Sequence, residues 1–330
     1  MNDAETAPSR RPQLAESVRR VENLIARWLC IAVCLGTLIR WLGRWYWLCE
    51  ITTHFVVQAT VLATIATLLL VIRRYWKLAG IAVCLTLVNA MEWVPFYVPV
   101  RGPSVSQTSS ESLVVVTANV YSRNRKSEDL YRWLKSSQAD VIFISEVDPW
   151  WAGQIESWKA DWPHQIVLPR PDNFGLALIS RHRIAQSETP YLSSLIPAVE
   201  CQIETPAGRW SVVGLHPLPP AGAEYSKQRN EYLFDAAKRI QQLPSPRVVL
   251  GDLNSSSSSP FFRDLLSTTD LQDSRQGFGW QPTWPAGNRY LRIPIDHCLV
   301  EPSLKVVSRE VGPDIGSDHL PVRCQLIRSP

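Results

Sequence analysis

Long apolar runs occupy much of the first hundred residues. The run Ile51–Ile72 contains 22 residues without a formal charge, which is enough for an α-helix to cross a hydrocarbon core of about 30 Å. Leu78–Val98 is a second candidate span, with one acidic residue near its far end. Leu24–Leu42 is a weaker third, because only 12 uncharged residues separate Arg27 from Arg40, whose side chains would have to reach the headgroups. We predict an uncleaved anchor of three transmembrane helices; the alternative is a buried helical subdomain of a soluble protein.

Basic residues set the predicted orientation of these helices. Lys and Arg concentrate before the span Leu24–Leu42 and between the spans Ile51–Ile72 and Leu78–Val98. Such residues favour the cytoplasmic side. We expect a cytoplasmic tail (residues 1–23), a multi-pass anchor (24–100) in the cell (inner or plasma) membrane and, after a Ser-rich linker (101–112), an extracytoplasmic remainder. Aromatic residues typical of a membrane interface cluster at the predicted outer boundary, namely Trp41, Trp45, Trp47, Trp93 and Tyr97.

From Leu113 onward the pattern changes to short apolar runs separated by helical stretches. Several runs are apolar at nearly every position, which is typical of strands buried on both faces. Residues 127–137 and 224–242 are predicted as helices, the second from apolar residues at helical spacing. Helices that cover buried sheets indicate a layered α/β sandwich. The predicted strands are 113–120, 140–147, 175–181, 209–216, 247–254, 295–300 and 320–326.

Composition and charge exclude several classes of protein. With 45% hydrophobic and 19% charged residues, the chain is not disordered, and its seven cysteines are too scattered for a disulfide scaffold. Residues 1–100 carry ten Lys and Arg against six Asp and Glu, whereas residues 101–330 carry 24 of each. That larger part is neutral and lacks the basic character of a nonspecific DNA-binding protein. Cys201, Cys298 and Cys324 are expected as buried free thiols, with a disulfide between two of them as the alternative.

Polar residues of types that perform chemistry recur where the apolar strands end. A single Asp or His at such a place is usually structural, but six strand ends supply an ordered set of them. Strand ends can hold catalytic groups rigidly in one cleft. The set comprises Asn119, Glu146, His216, Asp252, Asn254, Asp296, Asp318 and His319.

Three motifs within this set resemble the endonuclease/exonuclease/phosphatase superfamily. They are SEV at 145–147, GDLN at 251–254 and GSDHLP at 316–321, and their order and spacing are more specific than any one motif. The resemblance extends over roughly residues 113–327. It implies a catalytic domain (113–330) folded as a four-layer α/β sandwich of two mixed β-sheets. It also implies metal-assisted hydrolysis of a phosphate ester or anhydride.

The resemblance implies a site for a hard divalent cation, Mg²⁺ or alternatively Mn²⁺, which prefers oxygen ligands. Glu146 is the expected main ligand, with the amide oxygen of Asn119 beside it. Asp318 is carried over as a further metal-binding or water-orienting group.

The other motif residues are expected to carry out hydrolysis. Asp252 would orient or deprotonate the attacking water, and Asn254 would hydrogen-bond the phosphoryl oxygens. His319 would contact the phosphate as a charged donor, with its ring held by Asp296.

Two further candidates lie outside the three motifs. His216 occupies the place at which several family members have a His that protonates the leaving group or steadies the phosphate. The sequence departs from the family pattern just after it, because residues 217–220 read PLPP. Asn173 is a candidate substrate contact.

The catalytic residues of this superfamily do not select the substrate, because loops rather than the fold set specificity. The predicted location of the catalytic domain, close to the outer face of the membrane, is therefore used to choose among substrates. The chain resembles membrane-anchored bacterial members of the family, including proteins associated with resistance to glycopeptide antibiotics such as teicoplanin. That resemblance implies a lipid-linked, polyprenyl pyrophosphate substrate, with the lipid bilayer as the partner and no protein partner. The first alternative is an anchored nuclease acting on extracellular DNA or RNA. The second is a catalytically inactive binding or sensor module, which the intact set of polar residues disfavours.

Overall fold

A helical N-terminal part precedes an α/β part. The computed structural model describes residues 10–99 and 112–328. The predicted linker 101–112 lies outside these residues except for Ser112, which begins the first strand.

One continuous helix in the described N-terminal part, residues 16–44, is long and apolar enough to cross a membrane. It contains the run that was the weakest candidate from the sequence. The α-helix to which this stretch belongs begins before the predicted anchor, at Arg10. The last apolar run forms a helix of only 15 residues that ends at Ala90. The elements are α1 (Arg10–Ile39), a 3₁₀ turn (Arg40–Arg44), α2 (Trp47–Thr53), α3 (Val56–Ile72), α4 (Trp76–Ala90) and a second 3₁₀ turn (Val94–Tyr97).

The run Ile51–Ile72 does not form the single helix that its composition predicts. It is broken near its start, where α2 and α3 meet at an angle of 73°. The cause is that polar side chains in this stretch bind the α/β part. His54 Nδ1 lies 2.9 Å from Ser256 Oγ, and Glu50 forms a buried ion pair with Arg229. These contacts turn α2 away from the axis of α3.

The α/β part contains two mixed β-sheets. Its described strands are β1 (Ser112–Asn119), β2 (Val141–Ser145), β3 (His164–Leu168), β4 (Leu176–Ser180), β5 (Arg183–Glu188), β6 (Val199–Thr205), β7 (Gly208–Gly214), β8 (Arg247–Asp252), β9 (Gln272–Asp273), β10 (Asp296–Val300), β11 (Leu304–Val311) and β12 (Val322–Arg328). The first sheet has the order β11-β12-β1-β2-β4-β3 and the second β5-β6-β7-β8-β10-β9. One pair in each sheet is parallel, β1 with β2 and β7 with β8, and their other described neighbours are antiparallel.

Three apolar clusters define four layers, as the family resemblance implies. Successive side chains of a strand point to opposite faces of the sheet and therefore enter different clusters. Val115 packs between the two sheets, whereas its neighbour Val116 faces the helices. The outer face of the first sheet packs on α5 (Ser127–Ser136) and α6 (Pro149–Ser157). The outer face of the second sheet packs on α7 (Ala223–Gln242) and α8 (Pro260–Thr269). The buried thiols of Cys201, Cys298 and Cys324 lie between the sheets and form no disulfide.

Candidate active site

The sheet topology gathers the predicted residues at one cleft of about 770 Å³. Asp252 is the last residue of β8, and antiparallel pairing places it opposite Asp296, the first residue of β10. Asn119 ends β1 and pairs with Ser145 at the end of the parallel strand β2, so Glu146 follows directly. Residues that are more than a hundred positions apart in the chain therefore share one site.

Asn119 joins two carboxylates that line the cleft. Its Nδ2 donates to Glu146 Oε1 at 3.0 Å and to Asp252 Oδ2 at 3.1 Å. Its Oδ1 accepts the backbone N–H of Tyr121 at 3.0 Å, and Glu146 Oε2 accepts that of Ser122 at 3.2 Å. In this arrangement the amide nitrogen, not the amide oxygen, faces the carboxylates. The role of Asn119 as an oxygen ligand stays a prediction.

His319 lies between two aspartates, in the contact with Asp296 that the motifs predict. Its Nδ1 is 2.9 Å from Asp296 Oδ2, and its Nε2 is 3.6 Å from Asp252 Oδ2. Burial by itself lowers the pKa of His319, but the negative charges of Asp296 and Asp252 outweigh burial and raise this pKa to about 10. The ring is therefore an imidazolium at neutral pH, suited to contact an anion.

The two aspartates differ in their affinity for a proton. Burial raises the pKa of Asp252, against the opposing effect of the positive charge on His319. Burial also disfavours the charge of Asp296, but there the attraction and hydrogen bond of His319 prevail and lower the pKa. Asp252 is thus the better proton acceptor of the pair, which suits a group that takes a proton from water.

Backbone geometry at the GDLN motif explains its glycine and positions its asparagine. Gly251 has a φ of +151°, and a Cβ there would lie 1.9 Å from the carbonyl oxygen of Leu215, so another residue would not fit. Asn254 has a φ of 47°. Its backbone N–H donates to Asp252 Oδ1 at 2.9 Å, and its Nδ2 donates to the carbonyl of Pro217 at 2.9 Å. Asn254 therefore ties the GDLN turn to the PLPP loop that follows His216.

His216 lies next to Asp252. Its Nδ1 is 3.3 Å from the backbone oxygen of Asp252 and 3.7 Å from the Oδ2 of the same residue. The imidazole is buried and lines the cleft, and its ring centre is 5.9 Å from that of Phe174. The unusual prolines do not displace His216 from the other predicted residues.

Two predicted residues lie at the exposed rim of the cleft. Asn173 Oδ1 accepts a hydrogen bond from Ser122 Oγ at 2.9 Å. Asp318 Oδ2 accepts one from Trp284 Nε1 at 3.1 Å. Both residues line the same cleft as the buried carboxylates, but neither contacts them.

The carboxylates of the site fit a divalent cation that prefers oxygen. Carboxylate oxygens of Asp252 and Asp296 and a ring nitrogen of His319 lie within 4.8 Å of one another, but the imidazolium carries a hydrogen on both ring nitrogens and cannot bind a metal ion. Asp296 Oδ1 is buried without a hydrogen-bond partner among the described residues, so one carboxylate oxygen is free. This compact group consists of residues predicted for catalysis. Of the predicted ligands, Glu146 lines the same cleft and Asp318 lies at its rim.

One wall of the cleft comes from the helical N-terminal part, which the motifs do not predict. Ile51, His54 and Phe55, at the bend between α2 and α3, line it. A histidine within an otherwise apolar run is the one sequence signal for this wall. The remaining apolar lining is Phe174, Pro219, Pro220, Ala221, Tyr225, Trp284, Ile293 and Ile295.

Buried polar contacts fix this wall to the loop that follows β8. Glu50 of α2 pairs with Arg229 of α7, and both side chains are at most 1% exposed. Arg229 Nη1 donates to the backbone oxygen of Asn254 at 3.0 Å, and Ser259 Oγ donates to Glu50 Oε1 at 2.6 Å. These contacts fix α2 next to the GDLN turn.

This fold and this site define a class of protein: a metal-dependent hydrolase built on a two-sheet α/β sandwich. The family model described as "Endonuclease/Exonuclease/phosphatase family" matches residues 116–319. The chain belongs to this family and is an enzyme of the nuclease and phosphatase type. No protein of curated function matches the sequence significantly.

Solved structures share the fold of the α/β part at low sequence identity. An endonuclease/exonuclease/phosphatase family protein from Bacteroides vulgatus is 18% identical, with a TM-score of 0.56, over 66% of this chain and 99% of that one. The human nocturnin catalytic domain is 17% identical, with a TM-score of 0.54, over 66% and 94%. TDP2 of D. rerio, in complex with a single-stranded DNA product, is 15% identical, with a TM-score of 0.54, over 65% and 98%.

Proposed function

We propose that this protein is a membrane-anchored hydrolase that removes phosphate from a lipid-linked pyrophosphate, with polyprenyl pyrophosphate as the favoured substrate. In this proposal the anchor crosses the membrane several times, and the catalytic domain lies outside the cytoplasm. The placement of Lys and Arg along the sequence supports this orientation.

The observation that carries the proposal is the composition of the cleft. Carboxylates and histidines occupy its inner end, while Ile51 and Phe55 of the membrane segment form part of an apolar wall. A phosphate group at the inner end would leave the hydrocarbon chain of a lipid against that wall. Burying apolar chain surface contributes roughly 25 cal/mol per Å². Such a cleft favours an amphipathic substrate over a water-soluble one.

Nucleic acid is the alternative substrate, supported by the DNA complex of the structural neighbour TDP2. The described residues that line the cleft include neither Lys nor Arg, and residues 101–330 carry equal numbers of acidic and basic groups. A polyanion gains most of its binding free energy from Lys and Arg contacts to its phosphates. The lipid-linked phosphate therefore remains the better match.

We propose Mg²⁺, with Mn²⁺ as the alternative, for the cation. Glu146 would hold it, with Asn119 and Asp318 as the further predicted ligands and Asp252 and Asp296 close by. Such an ion, when bound, offsets negative charge on the phosphoryl group. The side chains of this site must then orient the substrate and move protons.

Each of these tasks has a residue suited to it by position. Asp252 accepts a proton from the attacking water, and the imidazolium of His319, held by Asp296, donates to a phosphoryl oxygen. Asn254 and Asn173 contribute amide groups to substrate binding. His216 donates a proton to the leaving oxygen.

Purified protein in detergent should release phosphate from undecaprenyl pyrophosphate under Mg²⁺ and leave plasmid DNA intact. The reason is that only the lipid can use both the polar end and the apolar wall. Right-side-out membrane vesicles should hydrolyse the lipid at their outer face, and inverted vesicles should not. Cleavage of DNA at a higher kcat/KM than the lipid would refute the substrate, and the opposite vesicle pattern would refute the orientation.

Substituting Glu146 with Gln should lower kcat by at least about a hundredfold, because the change keeps size but removes the charge that holds the cation. Raising Mg²⁺ should restore part of the activity, and EDTA should reproduce the defect in the wild-type enzyme. The exposed Glu128, on α5, provides a control as Glu128→Gln, which should be as active as wild type. Full activity of Glu146→Gln, or of the wild type in EDTA, would show that this carboxylate is structural.

A further inference from the structure

A second cavity, of about 260 Å³, lies between the 3₁₀ turn Arg40–Arg44 and the start of α8. It shares none of its described lining residues with the catalytic cleft. Arg40, Arg44 and Arg263 line it, and Glu92 is the acidic residue among its described lining residues. The cavity is therefore rich in guanidinium groups at the junction between the membrane segment and the catalytic domain.

Arg40 lacks the hydrogen bonds that the neighbouring arginines make. Its side chain is 3% exposed, and none of its three guanidinium nitrogens makes a hydrogen bond to a described residue. Glu92 Oε1 is 3.4 Å from Arg40 Nη2, but Glu92 Oε2 binds Arg263 at 2.7 Å. Arg44 is paired with Asp264 at 2.8 Å. Three guanidinium groups thus face two carboxylates, and Arg40 is the one without a hydrogen bond.

The missing partner should be an anion with several oxygen acceptors. A buried guanidinium without hydrogen bonds is destabilising unless a bound group supplies acceptors. Phosphate oxygens match the planar fork of donors that a guanidinium presents. The ten-residue helix α8 begins at Pro260, which also lines the cavity, and the start of a helix adds partial positive charge.

The surroundings of the cavity indicate that the phosphate is part of a lipid. Trp41 and Trp45 line it and are 62% and 69% exposed, as expected for indole rings at headgroup level. They lie at the end of the helix that is long enough to cross a membrane. We propose that this cavity binds the phosphodiester headgroup of a membrane phospholipid, at a site separate from the catalytic cleft.

Thermal unfolding of the full-length protein in detergent tests this site. Phosphatidylglycerol should raise the Tm by roughly 4 °C at a concentration of about 100 times its Kd. Diacylglycerol, which has the same tails without phosphate, and inorganic phosphate should not. In Arg40→Gln the shift should disappear, and in Arg40→Lys it should shrink, because a lysine keeps the charge but loses the fork. The control Arg132→Gln, which removes an exposed charge from α5, should keep the whole shift.

The Tm without lipid separates this proposal from a purely structural role. Because Arg40 makes no hydrogen bond, Arg40→Gln should unfold at or above the wild-type temperature in lipid-free detergent. A clear loss of stability or of folding in that variant would identify Arg40 as the structural partner of Glu92 and overturn the proposal. An equal lipid shift in wild type and Arg40→Gln would also overturn it. A shift with inorganic phosphate as large as with the lipid would overturn the lipid assignment.

Discussion

Replacing Asp252 with Asn should reduce hydrolysis of every substrate by at least about 10³-fold, within the range of about 10²–10⁴ that a general base contributes. Asn has nearly the same shape and can still accept the hydrogen bond that the backbone N–H of Asn254 gives to Asp252 Oδ1. It cannot take up a proton from water. The loss should therefore appear in kcat for good and poor leaving groups alike, because water attack is common to all of them.

Stability measurements distinguish this loss from misfolding. Burial raises the pKa of Asp252, which means that the folded protein disfavours its charged form. Removing that charge should leave the Tm of Asp252→Asn unchanged or higher. The exposed Asp270, at the end of α8, offers the matched control Asp270→Asn, which should be fully active. Asp252→Asn enzyme with more than a tenth of wild-type activity would exclude this residue as the base.

The strands that the sequence predicts are those at the centres of the two sheets. Central strands are buried on both faces and are apolar at nearly every position, as β2 and β4 are. Four of the five strands without a clear signal, β3, β5, β9 and β11, are the edges of the sheets. An edge strand has one neighbour and more solvent contact, so its sequence is less apolar. All five residues that form β3 are only partly buried.

The candidate site was predictable because its residues lie at strand termini. The sequence places Asn119, Glu146 and Asp252 at the ends of strands and Asp296 at the start of one, and the sheet pairings then bring them together. The wall formed by Ile51, His54 and Phe55 was not predictable in this way. Ile51 and its neighbours reach the cleft only because α2 bends and docks through a tertiary ion pair. No local pattern in an apolar run encodes such a contact.

Helix α2 is docked on the α/β part and is not a free tether. A tether would leave the cleft unaffected, whereas here Glu50 reaches Arg229, and Arg229 in turn binds the backbone of Asn254. Removing one partner from a buried ion pair typically costs about 3–5 kcal/mol. The helical N-terminal part and the GDLN turn therefore form one packed unit, and activity should be assayed with the N-terminal part present.

His216→Ala should impair hydrolysis of an alkyl phosphoester about 10²–10⁴-fold more than hydrolysis of a nitrophenyl phosphoester. An alkoxide needs a proton to leave, whereas nitrophenolate leaves as a stable anion. The pyrophosphate linkage lies between these extremes and should show an intermediate loss. The measurement is the ratio of kcat/KM for the two esters in wild type and variant, with His182→Ala as the control at a partly exposed histidine outside the cleft.

The Asp252 and His216 variants together test which residue accepts a proton and which residue donates one. His216 Nδ1 is 3.7 Å from Asp252 Oδ2, and Asn119 bridges Asp252 to Glu146. A proton donor at His216 and a proton acceptor at Asp252 are thus adjacent. The Asp252 and His216 variants should differ in how the loss of activity depends on the leaving group. Asp252→Asn should show no dependence on the leaving group, and His216→Ala should show a strong one. An equal loss on both esters for His216→Ala would remove the acid role and leave His216 as a phosphate contact.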